Sequence, residues 1–386
     1  MIPVVAHSVN PYLPNSGSWI YHQIRFLESF RPIVLAKRTE NLDQFPIAPI
    51  YSVYGQPFLR RSLEKALARA RSAPFRIHRD ALRREGAVLL HSHFADMAIR
   101  NIPLAKEAGI PHVASFYGSD IWARARARDR RFLEEFDRLC RSASLFLVEG
   151  PAMAEKVLGL GAPERIVKVL RLGIDITAIP FLPRSPDPDG RVVVLMAGRP
   201  VEKKGHWYGL LAFERICRDV PHVVLRMIIG GRTPRENEQI SRMRRFIEEK
   251  GIVDRVEWCG FLSYDRYLEA IRSAHIFLQP SVHAEDGDAE GGAPVTITEL
   301  SASGMPVVAT RHCDIPQIVL DGRSGLLAGE KDVGGLAALL ARVCASPQTW
   351  EAMGRAGRAH VEKEFDIRKQ VRELERLYAE CRKASG

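Results

Sequence analysis

The sequence predicts an α/β protein of two Rossmann-like, doubly wound domains that face each other across a cleft. Short apolar runs alternate with helical patterns, and this alternation stops and restarts at a proline-rich segment, residues 180–190. Strands that alternate with helices are typical of parallel sheets, and clustered Pro and Gly mark a linker. The length of 386 residues suits two domains of ordinary size.

The predicted strands form one series in each half of the chain. They are Ile33–Ala36, Ala87–Leu90, His112–Phe116 and Leu145–Val148, then Val192–Met196, Val223–Ile229, Val256–Trp258, Ile276–Leu278 and Val307–Ala309. Helical patterns include Trp19–Phe30 and Ala95–Lys106. The predicted domains are residues 1–180 and 181–364. A C-terminal helix at 365–386, with apolar residues at helical spacing, is expected to pack back toward the first domain.

Composition narrows the class of protein. With 46% hydrophobic and 26% charged residues the chain is globular, and it lacks both a long apolar run and a signal-peptide pattern. Six scattered cysteines without a CxxC pair argue for reduced thiols and against structural zinc. We therefore expect a cytoplasmic protein. The net charge of +10 permits nucleic acid, an anionic membrane or a phosphorylated substrate, without choosing among them.

The most informative stretch is residues 290–304, in which Glu290 and Glu299 bracket a turn of Gly, Gly, Ala and Pro. Small residues let the backbone approach a ligand closely, and a helix that begins after such a turn offers free N–H groups to an anion. The carboxylates cannot hold phosphate, so they are expected to accept hydrogen bonds from sugar hydroxyls. The alternative is an acidic surface loop that caps an ordinary helix.

A basic turn, residues 198–205, follows the first strand of the second series. It places Arg199 and Lys204 at the carboxyl end of a strand, where two cations can neutralise a diphosphate and stabilise it as a leaving group. Taken alone, such a turn is usually a solvated loop. The sequence has no G-x-G-x-x-G fingerprint after either first strand and no Walker motif. The Asp286-Gly287-Asp288 segment lacks the further ligands of a calcium loop.

Polar clusters also follow two predicted strands of the first domain. They are His91-Ser92-His93 and Tyr117-Gly118-Ser119-Asp120. This architecture keeps its functional groups at strand ends, although a lone His is more often structural. Near the start, residues 14–18 precede the first helix and could bring backbone N–H groups to a phosphate.

The stretch from Phe58 to Arg84 carries nine cations around an apolar helical face. This pattern fits a helix that lies on an anionic membrane, and it equally fits an ordinary helix packed on a domain. A nucleic-acid role is disfavoured, because stacking aromatic residues are nearly missing.

Taken together, these features resemble the family 4 retaining glycosyltransferases of the two-Rossmann-domain (GT-B) architecture, especially those that build bacterial surface polysaccharides of the colanic acid type. The resemblance spans nearly the whole chain and is strongest from Val192 to Ala328. The segments that carry it are Leu172–Asp175, Gly198–Gly205, Cys259–Leu262, Glu290–Glu299, Gly304–Thr310 and Gly322–Leu327.

The resemblance implies a role for each matching residue. Arg199 and Lys204, with Gly205 in the same turn, would bind the donor diphosphate in place of a metal, so that no metal or other cofactor is required. Glu299 would hold the ribose hydroxyls, and Glu290 would lie against the donor sugar. The remaining implied donor contacts are Gly292, Ala293, Pro294 and Val295 at the phosphate pocket, Phe261 and Leu262 at the base, and Gly17 at the phosphate from the first domain.

The chain departs from the family pattern twice. Eight residues separate Glu290 from Glu299, where the family usually has seven. The family's His-Gly-x-Asp element, whose His faces the transferred sugar, reads Tyr117-Gly118-Ser119-Asp120 here. Either Tyr117 or His93 makes that hydrogen bond, or the acceptor chemistry differs. The catalytic candidates are therefore Glu290, His93, Tyr117 and Asp120.

The resulting hypothesis is a retaining glycosyltransferase that moves a sugar from a nucleotide-diphosphate sugar, with UDP favoured and GDP possible. The acceptor would be a glycan, a lipid-linked molecule or a small molecule, and the protein could lie on the inner face of the membrane. Three alternatives stay open: a nucleotide-sugar epimerase, a phosphorylase, and a membrane- or nucleic-acid-binding scaffold without turnover. A phosphorylase needs a pyridoxal phosphate lysine, which the sequence does not reveal.

Overall fold

The computed structural model describes residues 2–14, 17–71, 74–123, 129–220, 222–262 and 264–384. The chain divides into two compact units. Met1–Asp175 with Asp366–Gly386 forms the first unit, and Ile176–Phe365 forms the second.

The first unit is a parallel sheet of seven strands in the order β3-β2-β1-β4-β5-β6-β7. The strands are β1 Val4–Ser8, β2 Arg31–Ala36, β3 Ile50–Ser52, β4 Ala87–His93, β5 His112–Phe116, β6 Leu145–Val148 and β7 Val167–Val169. The helices that precede the second unit are α1 Ser18–Arg25, α2 Phe58–Arg71, α3 Arg76–Glu85, α4 Ala95–Ala108, α5 Arg130–Ser142 and α6 Pro151–Gly159.

The second unit is a parallel sheet of six strands in the order β10-β9-β8-β11-β12-β13. The strands are β8 Val192–Ala197, β9 Val223–Ile228, β10 Val256–Trp258, β11 Ile276–Gln279, β12 Val307–Thr310 and β13 Gly325–Ala328. The helices are α7 His206–Ile216, α8 Pro234–Glu249, α9 Tyr264–Arg272, α10 Val295–Ala302, α11 Ile315–Ile318, α12 Val333–Cys344 and α13 Trp350–Glu364.

Both sheets have the doubly wound strand order, which confirms the predicted fold class. Central strands such as β8 and β11 are buried along their whole length, as expected when helices cover both faces of a sheet. The strand order reverses between β1 and β4 in the first unit and between β8 and β11 in the second. Ligands bind outside the carboxyl ends of the strands at such a switch point. The segments after these four strands are therefore where a site is expected.

The C-terminal helix, α14 Ile367–Ala384, packs on the first unit, as the sequence predicts. Leu374, Leu377 and Tyr378 are buried among residues of β1, β4, β5 and β6. The carboxylate of Glu375 accepts hydrogen bonds from the backbone N–H groups of Glu28 and Ser29, at 2.7 and 2.6 Å. The helix predicted over residues 19–30 ends early, at Arg25, and Glu375 supplies an acceptor for two amides beyond that end.

The proline-rich segment at 180–190 is anchored to the second unit. Arg184 is buried there, and its Nη1 donates to the carbonyls of Ile271 and Ala274, both at 2.8 Å. The Arg184 side chain thus satisfies carbonyls at and just beyond the carboxyl end of α9, which the helix itself leaves without partners. The segment predicted as a linker therefore also caps the carboxyl end of α9, through Arg184.

The basic stretch forms two helices, and they differ in exposure. In α3, the side chains of His78, Ala81 and Leu82 are buried, so this helix packs on its domain in the ordinary way. In α2, the apolar side chains of Phe58, Leu59, Leu63 and Leu67 are exposed. The sequence pattern indicated one basic helix, and this is wrong, because the chain forms two helices here. Only the first of them, α2, presents an apolar face to solvent. Residues 72 and 73, between the two helices, lie outside the described residues.

Candidate active site

The basic turn after β8 is packed against the segment that follows β11. Residues Glu202–Lys204 form one turn of 3-10 helix, and Gly205 then adopts a left-handed conformation with φ +65°. A Cβ atom at Gly205 would lie 1.6 Å from the carbonyl oxygen of Pro280. Only glycine fits this close approach, and the approach brings the side chain of Lys204 to the acidic turn.

Lys204 and Glu290 form an ion pair at the switch point of the second sheet. Lys204 Nζ lies 2.9 Å from Glu290 Oε2, and the side chains are 19% and 6% exposed. Ser281 Oγ donates to the other carboxylate oxygen, Oε1, at 2.8 Å. The sequence predicted both charged residues as donor-binding or catalytic groups, and the structure brings them into direct contact.

Glu290 is held in its ionised form. Burial alone would raise the pKa of Glu290. The positive charges of Lys204 and Lys203, and the hydrogen bonds from Lys204 and Ser281, outweigh burial and lower this pKa below its usual value. An ionised carboxylate only accepts hydrogen bonds, which suits contact with sugar hydroxyls.

The backbone of Glu290 is fixed from a second direction. Its N–H donates to Nε2 of His312 at 3.1 Å. Nδ1 of His312 contacts Glu330 Oε1 at 2.8 Å, and Glu330 also receives the backbone N–H and the ring of His283. Burial would raise the pKa of Glu330, but these hydrogen bonds hold it at about 2.

Arg199 takes a different partner. Its Nε and Nη2 donate to Glu236 Oε1 at 3.0 and 2.8 Å, and its side chain remains 65% exposed. Glu236 completes a capping box with Thr233 at the amino end of α8. The exposed guanidinium is therefore oriented by a helix cap while its outer edge faces solvent.

Glu299 lies on α10 and differs from Glu290 in its surroundings. Burial raises the pKa of Glu299 to about 7. Within the described residues, no hydrogen bond or ion pair reaches its carboxylate. A partly buried carboxylate without a partner is costly, and it is the kind of group that a ligand's hydroxyls satisfy.

The segment Gly292–Val295 leads into α10. Gly291 is left-handed with φ +86°, and Pro294 occupies the N-cap position with Val295 as the first helical residue. The carbonyl of Gly292 accepts the N–H of Asp314 at 3.2 Å. Ala293 is half-buried. N–H groups in the first turn of a helix have no partner within it, so this end of α10 offers donors to an anion.

The predicted base-contacting residues follow β10. The Phe261 side chain is 57% exposed, and the Arg232 guanidinium lies over its ring at 5.0 Å from the ring centre. A Cβ atom at Gly230 would lie 2.5 Å from the ring, so a side chain at this position would displace Phe261 from its present place. Leu262 is half-buried. An exposed aromatic ring fixed in this way can stack on a nucleobase.

In the first unit, His93 and Tyr117 belong to one buried hydrogen-bond chain. His93 Nδ1 lies 2.7 Å from the Tyr117 hydroxyl, and His93 Nε2 lies 3.0 Å from Nδ1 of His7. Burial lowers the pKa of both imidazoles and raises the pKa of Tyr117. The two residues that the sequence offered as alternatives are thus direct partners.

Asp120 and Gly17 position backbone in this unit. The Asp120 carboxylate accepts the N–H groups of Ala95 and Tyr117 at 2.8 and 3.0 Å, which ties the loop after β5 to the start of α4. Burial raises the pKa of Asp120 to about 6. Gly17 precedes α1, and its N–H donates to Pro14 O at 2.8 Å. A catalytic role for Asp120 and a phosphate contact for Gly17 stay predictions.

Family models match both halves of the chain. Residues 20–178 match "Glycosyltransferase Family 4", and residues 181–360 match "Glycosyl transferases group 1". The chain belongs to the two-domain, family 4 glycosyltransferases.

Two named relatives of this glycosyltransferase are the putative colanic acid biosynthesis glycosyltransferase WcaL of Salmonella typhimurium, at 32% identity over 68% of the chain, and that of Escherichia coli, at 34% over 68%. The aligned part spans 62% of each relative. The amylovoran biosynthesis glycosyltransferase AmsK of Erwinia amylovora is 29% identical over 74% of the chain and 68% of its own length.

Solved structures share the fold of the glycosyltransferase. Anabaena HepE in complex with UDP and glucose has a TM-score of 0.77 at 16% identity, covering 98% of this chain and all of HepE. A sucrose-phosphate synthase from Thermosynechococcus elongatus also has a TM-score of 0.77, at 17% identity over 99% of this chain and 100% of that one.

Two side-chain groups place possible metal-ligand atoms within 4.8 Å of one another: His7, His91 and His93, and His283, His312 and Cys313. Hydrogen bonds already engage both ring nitrogens of His91, His93 and His312. A cation would have to displace them. Among the described residues, no helix has the length and apolar character needed to span a bilayer.

Four further residues contact the predicted site residues, directly or (for Glu330) through His312, but belong to none of the sequence motifs described above: His7, Glu236, His312 and Glu330. His312 and Glu330 come within two residues of the ends of β12 and β13. The rule that functional groups follow the carboxyl ends of parallel strands, applied to every strand, would have found these two. Glu236 carried the signal of a capping box, Thr233 with Glu236. His7 lies inside a strand and gave no such signal.

Proposed function

We propose that this glycosyltransferase moves a sugar, with retention of anomeric configuration, from a nucleotide-diphosphate sugar to a glycan, lipid-linked or small-molecule acceptor in polysaccharide or glycoconjugate biosynthesis. A UDP-sugar is the favoured donor and a GDP-sugar is the other candidate. The observation that carries the proposal is the Lys204–Glu290 ion pair at the switch point of the second sheet. Beside it lie a glycine turn and the amino end of α10.

The proposed chemistry follows from the charges. Negative charge builds on the diphosphate as it leaves the anomeric carbon, and prearranged cations and helix N–H groups stabilise that charge without reorganising. Arg199 is exposed and oriented by Glu236, and Lys204 keeps two N–H donors beyond its bond to Glu290. These two cations would do the work that a metal ion does in other phosphate-transfer sites. We therefore propose catalysis without an obligatory metal.

The surrounding groups support a division of roles. The ionised Glu290 would accept hydrogen bonds from the donor sugar, and Glu299 would accept them from the ribose. Phe261 would stack on the base. The role of His93 or Tyr117 toward the transferred sugar stays a prediction, because their polar side-chain atoms are paired with each other and with His7. Retention through same-face attack and retention through a covalent intermediate are both compatible with these groups.

The exposed face of α2 supports peripheral binding to an anionic membrane, with the protein in the cytoplasm. Phe58, Leu59 and Leu63 are 68%, 80% and 60% exposed, and Arg60, Arg61 and Lys65 lie on the same helix. Apolar side chains flanked by cations bind the interface of an anionic bilayer. A lipid-linked acceptor would be reached there.

A donor panel tests the proposed function. Incubation with UDP- and GDP-sugars should give release of one nucleoside diphosphate, a thermal shift with the same nucleotide, and activity that survives EDTA. Arg199→Ala should lower turnover at least about 100-fold, whereas Arg355→Ala, which removes an arginine of similar exposure (64%) that pairs with Glu351 on α13 of the same unit, should not. The absence of both release and thermal shift would contradict the proposal.

Vesicle co-sedimentation tests the membrane surface. Wild type should bind vesicles that contain anionic lipid, and binding should weaken with salt because each basic residue near the surface contributes roughly 1 kcal/mol. Leu59→Glu with Leu63→Glu should abolish binding. Leu158→Glu, at an exposed leucine of α6, is the matched control and should bind like wild type. Salt-insensitive binding, or none, would favour a soluble acceptor.

A further inference from the structure

Three successive residues of the turn at Glu290 each contact one of three successive residues, 312–314. The Glu290 N–H donates to His312 Nε2 at 3.1 Å, the Gly291 N–H donates to the sulfur of Cys313, and the Asp314 N–H donates to Gly292 O at 3.2 Å. The acidic turn is therefore held along its length by the segment that follows β12.

The first of these contacts depends on which nitrogen of His312 carries the proton. Glu330 is ionised and can only accept, so the Nδ1 of His312, 2.8 Å away, must carry the proton and donate. Nε2 then has the lone pair that the Glu290 N–H requires. The thiol of Cys313, with its sulfur 3.3 Å from Nε2, can donate to the same lone pair in this tautomer. The Glu330 carboxylate thus selects the tautomer that supports the turn, as carboxylates do for histidines elsewhere.

No water can substitute for this imidazole without rearrangement, because the His312 side chain is 0% exposed. The turn it supports includes a left-handed glycine, Gly291, and is one residue longer than the family pattern. Lys204 and Ser281 hold the Glu290 carboxylate, while His312 holds its backbone. Both supports are needed to fix the direction in which the carboxylate points.

We propose that His312, held in one tautomer by Glu330, is a positioning residue for Glu290 in sugar transfer. This inference rests on the proposed function. Its effect falls on turnover, because displacement of a reacting group by about 1 Å costs about 100-fold in rate. Nucleotide affinity is expected to change less than turnover, because Arg199, Phe261 and Glu299, three of the proposed nucleotide contacts, lie outside the turn that His312 supports.

Two substitutions at the same position separate the roles of the ring nitrogens. In His312→Asn, the short amide can reach Glu330 but leaves the Glu290 N–H without an acceptor. In His312→Gln, the longer amide extends as far as Nε2 and restores an acceptor. His312→Asn should lower kcat about 100-fold and leave UDP or GDP affinity, measured by calorimetry, within about threefold. His312→Gln should recover at least about tenfold of the lost kcat.

His275 is the matched control. It is also buried in the second unit, and its ring also accepts a backbone N–H, from Val193 at 2.8 Å, but it lies at the amino end of β11. His275→Gln removes that acceptor and should lower the melting temperature while leaving kcat of the folded protein unchanged. The inference would be overturned if His312→Asn and His312→Gln lowered kcat, nucleotide affinity and melting temperature to the same extent as each other. That result would show that His312 has a structural role alone.

A measurement on wild type avoids the risk that a variant fails to fold. The nitrogen-15 spectrum of the imidazoles should show His312 protonated at Nδ1 and unprotonated at Nε2. The opposite tautomer would overturn the inference. This spectrum requires no turnover. If wild type releases no nucleotide from any donor, the proposed function is contradicted. The spectrum still shows in that case whether Glu330 and His312 support the turn.

Discussion

Lys204→Met is expected to abolish sugar transfer and to destabilise the protein, and adding Glu290→Gln is expected to restore stability without restoring transfer. The single substitution leaves the buried Glu290 carboxylate without its cation, and breaking such a pair costs about 3–5 kcal/mol. The double variant removes the charge itself, so the cost largely disappears. Urea unfolding and donor turnover of the three proteins measure both effects.

This expectation differs from what the sequence alone suggests. In the sequence, Lys204 lies in a basic turn of the kind that is usually a solvated loop, and removal of a solvated lysine should leave the fold intact. The contact with Glu290 couples the fold to the site. Lys250→Met is a suitable control, because Lys250 pairs with Glu214 at 3.8 Å and is 43% exposed, and such a pair contributes less than about 1 kcal/mol. Full turnover by Lys204→Met would show that the diphosphate binds elsewhere.

Glu299→Gln is expected to remove a pH dependence from donor binding. The pKa of Glu299 is raised to about 7, so at lower pH the carboxylate must lose a proton before it can accept both ribose hydroxyls. Wild-type affinity for a nucleotide-sugar should therefore fall as pH drops below 7, approaching about tenfold per pH unit. The variant should bind weakly at every pH. Calorimetry with the intact nucleotide-sugar avoids the titration of a terminal phosphate.

The same substitution should stabilise the protein without ligand. When a carboxyl group has a higher pKa in the folded protein than in the unfolded chain, the protein loses stability as the pH rises from the unfolded-state pKa to the folded-state pKa. For Glu299 the folded-state pKa is about 7. Glu299→Gln should therefore unfold at a higher temperature than wild type at pH 8, and the difference should shrink toward pH 5. Glu238→Gln, at an exposed position of α8, should show neither effect. A Glu299→Gln protein that binds donor normally would refute the ribose assignment.

Much of the fold follows from local patterns in the sequence. Long apolar runs such as Val192–Met196 predict buried parallel strands correctly, since a strand covered on both faces must be apolar throughout. The short edge strands Ile50–Ser52 and Val167–Val169 were missed, although the equally short edge strand Val256–Trp258 was predicted, because three residues carry too little pattern to separate a strand from a loop dependably. The division of the basic stretch into a packed helix and an exposed one depends on tertiary contacts, which periodicity does not reveal.

The site could be predicted as a set of residues but not as a set of partners. Strand-end position and residue type indicated Lys204, His93 and Tyr117, and the glycine-rich turn before a predicted helix indicated Glu290. The pairing of Lys204 with Glu290 joins residues 86 positions apart, and no local pattern encodes it. The difference between an ionised Glu290 and a Glu299 with a raised pKa arises from which cations lie nearby in space. Because both residues are glutamates, the sequence alone did not indicate that Glu290 and Glu299 differ in pKa.

A crystal structure of the protein with the nucleoside diphosphate that it releases would test the proposed diphosphate and ribose contacts most directly. We predict diphosphate oxygens within hydrogen-bond distance of Arg199 and Lys204, and the ribose hydroxyls on the carboxylate of Glu299. A nucleotide that binds away from these three side chains would contradict the account.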